Sequence, residues 1–137
     1  MTKKQIRFVP IGKLKCHEAV SKKRVSELIE DIKFHGLLIN PVVVSKQSYV
    51  VLDGHHRVAA LKRIGACKVP VFFVDYFSNN VKVYLRRKNL LITLLKEAVI
   101  NRALQGKMFP MKTTRHWIKD RKRNIRIKFE ALTTDRF

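Results

Sequence analysis

Cysteine is scarce in this chain. The two present, Cys16 and Cys67, cannot make a disulfide scaffold or a four-ligand zinc site. Long apolar runs are missing as well, and none approaches the roughly 20 residues of a membrane span. The basic start, Met1 to Gln5, runs into no secretory apolar stretch. Glycine (5) and proline (4) are few, and no repeat, linker or low-complexity segment divides the chain. A soluble cytoplasmic protein is the expectation. The 137 residues and 16.0 kDa fit one domain able to bury a real core. A hydrophobic fraction of 46% argues against wholesale disorder.

Acidic residues are the other shortage. Ten Asp and Glu stand against 30 Lys and Arg, a formal net charge of +20 at pH 7. Such a chain attracts polyanions and nucleotides at low salt, so non-specific nucleic-acid binding is expected of its basic surface. The charge is densest over residues 112–128, where eight Lys and Arg accompany a single Asp120. Like charges this close repel unless an anion or acidic partner sits among them.

Periodicity supplies the elements. Ile6 to Val9 reads as a strand ended by Pro10, and Gly12 to Ala19 as a loop carrying Cys16, His17 and Glu18. Ser21 can cap a helix to about His35, with Val25, Leu28, Ile29 and Ile32 on one face and Gly36 as C-cap. Residues 42–52 read as a hairpin turning at Ser45 to Ser48. A second helix opens near His55 and stops at Gly65. Lys68 to Tyr76 is a strand whose Pro70 suggests an edge. Val81 to Leu85 is a further strand, Asn89 to Gln105 a third helix ended by Gly106, residues 107–118 a loop, and Asn124 to Glu130 a terminal strand. The fold class is α+β, a small mixed sheet with about three packed helices.

The sharpest local signal is Val50-Val51-Leu52-Asp53-Gly54-His55-His56-Arg57, a strand, tight turn and helix start in eight residues. Gly54 lets backbone approach a ligand closely. The first helical amides lack intrahelical partners and carry the positive end of the helix dipole, a phosphate-binding arrangement. His55, His56 and Arg57 add side-chain donors, and Arg can hold two phosphate oxygens at once. Asp53 also suits an ordinary N-cap. Glu18 is a second candidate. Surrounding positive charge keeps a carboxylate ionised, able to accept a hydroxyl proton or to help hold a divalent ion brought by a nucleotide. The third is Lys112-Thr113-Thr114-Arg115-His116-Trp117, where hydroxyls, Arg and His in a row suit an anion, with Trp117 as core or lid. Cys16, His17 and Glu18 show no standard zinc spacing with the His55–His56 pair.

These segments together resemble the ParB/sulfiredoxin superfamily, and within it the free L-serine kinase branch. The Asp53-Gly54-His55-His56-Arg57 string, Glu18 in the loop after the first strand, and Thr114-Arg115-His116 match that branch in order and approximate spacing. The resemblance covers roughly residues 6–118 and implies a single ParB/sulfiredoxin-like domain over 1–137 with a basic segment 107–137. It implies phosphorylation of free serine to O-phosphoserine, with ADP or ATP and Mg2+, feeding cysteine synthesis or another phosphoserine-using pathway. Glu18 would sit at the base position and Asp53 at the other essential carboxylate, near hydroxyl and metal. Gly54, His55, His56 and Arg57 would hold the nucleotide phosphates, with Thr113, Thr114, Arg115 and His116 completing the cradle. The alternative is a ParB-like nucleotide- or DNA-binding module without kinase activity, favoured by the charge but lacking a helix-turn-helix signal after the motif. A sulfiredoxin-like reductase would need a reactive cysteine beside the phosphate turn, and neither Cys16 nor Cys67 is placed for that.

Overall fold

Val42, Val43 and Val44 show how the sheet is built, because a run without polar alternation suits a strand covered on both faces. In the computed structural model, which describes residues 6–85, 96–107, 114–119, 121 and 124–134, all three are fully buried. They belong to β3 (Val42–Ser45), inside a four-stranded mixed sheet with β1 (Ile6–Pro10), β4 (Val51–Asp53) and β5 (Lys68–Val74), in the order β1-β5-β3-β4. β1 and β5 run antiparallel, β5 and β3 parallel, and β3 and β4 form the expected antiparallel hairpin. Val42 and Val44 point into one core cluster and Val43 into the other, the period of two expected of a strand.

The first cluster is closed by α1 (Lys22–His35) and α2 (His55–Arg63). Ser21 accepts from the Arg24 amide to start α1, and Gly36, at φ 68°, ends it with its N–H on the Ile32 carbonyl. Val25 and Ile32 are buried, and Leu28 and Ile29 pack against the core, which is the face the spacing indicates. A short pair, β2 (Leu37–Ile39) with β8 (Arg126–Lys128), lies at the C-terminal end of α1. The second cluster lies across the sheet, under α3 (Lys96–Leu104) and the antiparallel pair β6 (Val81–Leu85) with β7 (Thr114–Ile118).

Two expectations are revised. β5 is an inner strand, not an edge, but Lys68 to Pro70 pair with β1 alone and the ladder to β3 begins at Val71. Pro70 therefore stands where its missing N–H breaks no second ladder. The stretch read as a loop over residues 107–118 ends in β7, which pairs Val83 with His116 and Val81 with Ile118. Exposed Arg115 and Trp117 alternate with inward His116 and Ile118, and that polar face hid the strand. The third helix is described only from Lys96, so its expected start at residues 89–95 lies outside the described residues.

Candidate active site

Three sequence-distant segments meet at the C-terminal end of β4. The loop after β1 is stitched along β4: the Lys15 amide donates to the Tyr49 carbonyl at 2.9 Å and the Val51 amide to the Lys15 carbonyl at 2.7 Å. That fixes Glu18 three residues further on. β4 leads through Asp53 and Gly54 into α2, and β7 brings Arg115 and His116 from the far side. A cavity of about 970 Å3 lies between them, lined by Glu18, Asp53 and the Gly54–Arg57 turn. Arg115, His116 and half-exposed Trp117 line it too, placing Trp117 at the rim rather than in the core.

The turn needs its glycine. Gly54 is the N-cap residue of α2 at φ 110°, a conformation that strains any other residue, and an added Cβ would meet Val42 at 3.0 Å. No side chain caps α2, so Asp53 is not the ordinary N-cap that its position allowed. Its carboxylate instead receives Arg57 at 3.3 Å and Arg121 on the same oxygen, Oδ2. Burial pushes the Asp53 carboxyl upward, but the two guanidinium groups outweigh that and hold it below its usual range.

The histidines of the turn face the Glu18 loop. His55 Nε2 accepts the His17 amide at 3.1 Å, and His56 Nε2 accepts the Ser21 amide at 3.0 Å. Both Nε2 atoms thus act as acceptors and fasten the carboxylate loop to α2. Arg57 is likewise engaged, its Nη1 donating to the Asn40 carbonyl at 2.9 Å and the Pro41 carbonyl at 3.1 Å. What the turn offers an anion is backbone at a helix start.

Three neutral imidazoles meet at the cavity, with His55 and His116 in its lining and His17 behind them. His17 and His55 meet edge-on with centroids 4.6 Å apart, and His17 and His116 at 5.8 Å. Burial lowers His17 to about 4, and His55 and His116 to about 3. His17 Nδ1 donates to the Val51 carbonyl at 2.9 Å, so its Nε2 presents a lone pair 3.6 Å from Glu18 Oε2. With a neutral ring that contact is no ion pair at pH 7. His116 Nε2 lies 3.0 Å from the Tyr76 hydroxyl, whose own pKa burial raises. Among the described residues no cluster of three or more His, Cys, Asp or Glu could hold a metal.

The structure thus brings together Glu18, Asp53, the Gly54–Arg57 turn, Arg115 and His116. Thr113 lies outside the described residues, and Thr114 begins β7. Arg121 and Tyr76 were not singled out from sequence. Arg121 sits in a basic run where nothing local distinguishes it, and Tyr76 closes a strand in which an aromatic reads as core.

Residues 1–88 match the ParB N-terminal domain family. The chain belongs to that family. Among curated proteins it is 37% identical over 81 residues to the ADP-dependent L-serine kinase SerK of Thermococcus kodakarensis, covering 56% of this chain and 34% of that protein. It is 39% identical over 80 residues to an ATP-dependent L-serine kinase of Staphylothermus marinus, covering 56% and 32%. The chain spans about a third of the length of these curated relatives. A solved structure of a free serine kinase in complex with AMP matches with a TM-score of 0.83 at 20% identity, covering 93% of each chain, which establishes the fold. No described helix is long and apolar enough to cross a membrane.

Proposed function

We propose that the chain is a phosphotransferase that converts free L-serine to O-phospho-L-serine with ADP or ATP as donor. The observation that carries this reading is the shared cavity: a buried-edge carboxylate, Glu18, and the glycine-led start of α2 line the same space. A helix start suits a phosphate chain, and a carboxylate beside it suits an acceptor hydroxyl. The family membership and the activity carried in the names of the relatives support the same reading.

Phosphoryl transfer asks mostly for positioning and charge neutralisation. The serine hydroxyl gives its proton to a carboxylate, its oxygen bonds to the terminal phosphorus, and the bond from that phosphorus to the bridging oxygen breaks. ADP then leaves as AMP, or ATP as ADP. Asp53 keeps the Arg57 guanidinium on its carboxylate, so we assign the base to Glu18 and orientation of hydroxyl or cation to Asp53. Arg115 at the cavity supplies positive charge for the transferring group. Mg2+ takes oxygen ligands and is commonly held by one or two carboxylates plus substrate phosphates. Asp53 and Glu18 fit that pattern as partners of an ion carried in on the nucleotide, where it would neutralise phosphate charge.

A nucleotide- or DNA-binding module without kinase activity is the second reading, favoured by the net charge of +20. Incubation with ADP or ATP, Mg2+ and a panel of hydroxyl amino acids, followed by 31P NMR, separates the two. Phosphoserine formation is expected. No phosphorylated product with any pair, alongside salt-sensitive DNA binding, would favour the module.

A further inference from the structure

One feature of the cavity is left over by the kinase reading: a single carboxylate oxygen serves two guanidinium groups. Arg57 Nη2 stands 3.3 Å from Asp53 Oδ2, and Arg121 Nη2 donates to that same atom. One negative charge cannot neutralise two positive ones, so the pair leaves excess positive charge beside the start of α2.

The two arginines are anchored differently. Arg57 is held by the Asn40 and Pro41 carbonyls as well as by Asp53, four residues before it in the chain. Arg121 follows β7, and among the described residues its hydrogen-bond partner is Asp53 alone. Both line the cavity, with side chains 15% and 17% exposed. If Arg121 turns away, Arg57 still pairs Asp53, so no buried carboxylate is stranded, which is the usual barrier to breaking such a contact. A phosphate, carrying more charge and more acceptor oxygens than a carboxylate, is the stronger partner for a guanidinium fork.

Resting on the nucleotide reading above, we propose that Arg121 is a phosphate ligand that exchanges Asp53 for the donor nucleotide's phosphate chain. The exchange removes one of the two guanidinium contacts on Asp53 Oδ2, keeps that of Arg57, and makes room there for the serine hydroxyl or the nucleotide's cation. Nucleotide binding thereby sets the second carboxylate into its working state.

Calorimetric titration of the full chain with ADP, without serine, tests this. Arg121→Gln weakens ADP binding by about 10- to 100-fold, the scale of a lost charge-assisted pair. Asp53→Asn tightens it, because Arg121 is released in advance. The double variant follows Arg121→Gln. Arg121→Lys keeps the charge without the fork, weakens ADP binding several-fold with an unchanged thermal midpoint, and serves if the Gln variant does not fold. Equal weakening by Arg121→Gln and Asp53→Asn would mark the pair as scaffolding and overturn the proposal, as would wild-type affinity in both Arg121 variants. A wild-type chain that binds neither ADP nor ATP overturns the nucleotide reading itself, a result distinct from a wild type that binds while Arg121 is indifferent.

Discussion

Acid should unfold this protein earlier than its carboxylates alone would dictate, because its site rests on neutral buried histidines. His17 is fully buried and lowered to about 4 from an ordinary 6.5, with His55 and His116 lowered to about 3. The sign follows from proton counting. Between the folded and unfolded values the unfolded chain binds more protons, so stability is complete above about pH 6.5 and falls as pH drops toward 4. For His17 alone the loss from pH 7 to pH 5 is about 2 kcal/mol. The other two would each add a similar loss if independent, but the three rings are coupled, so about 2 kcal/mol is the floor and about 6 kcal/mol the ceiling. Against a total stability of roughly 5–15 kcal/mol that is a large fraction. Asp53 is held below its ordinary 3.8 and loses its contribution only at lower pH, outside this window. Urea denaturation at pH 7, 6 and 5 reads the effect as a falling midpoint at constant slope. A free energy flat between pH 7 and 5 would refute the buried neutral cluster.

Other perturbations separate chemistry from scaffold. Glu18→Gln is expected to abolish phosphoserine formation while nucleotide affinity, read by calorimetry, changes little; a fully active variant would return Glu18 to a surface role. Arg57→Ala should cost about 2–4 kcal/mol in chemical denaturation, because two partly buried carbonyls and part of the Asp53 charge lose their donor. Gly54→Ala, at φ 110° and against Val42 at 3.0 Å, should lower stability by about 1–3 kcal/mol and weaken nucleotide binding together. His56→Ala should loosen the Glu18 loop through loss of the Ser21 amide contact, lowering turnover more than nucleotide affinity.

How much of this was legible in the sequence depended on how local the cause was. α1 carried its own cap, apolar stripe and terminal glycine, so its bounds could be read directly. The valine run likewise declared a strand, and Val50 to Arg57 a strand, turn and helix start within eight residues. β2 went unread because it is three residues long and its partner, β8, lies near the other end of the chain. β7 was hidden by its solvent face, where Arg115 and Trp117 gave the look of a loop. At the candidate site, the residue types singled out are ones the fold gathers around one cavity, but their contacts could not be read. His55 and His56 seemed donors for an anion, whereas the fold spends their Nε2 atoms on backbone amides of the Glu18 loop. Only the approach of that loop along β4, a long-range pairing, reveals this.

The most direct test is a crystal structure with ADP bound. The account predicts the terminal phosphate on the backbone at the start of α2, with Glu18 facing it across room for a small hydroxyl amino acid. Phosphates seated outside this cavity, with the α2 start covered by protein atoms, would contradict it.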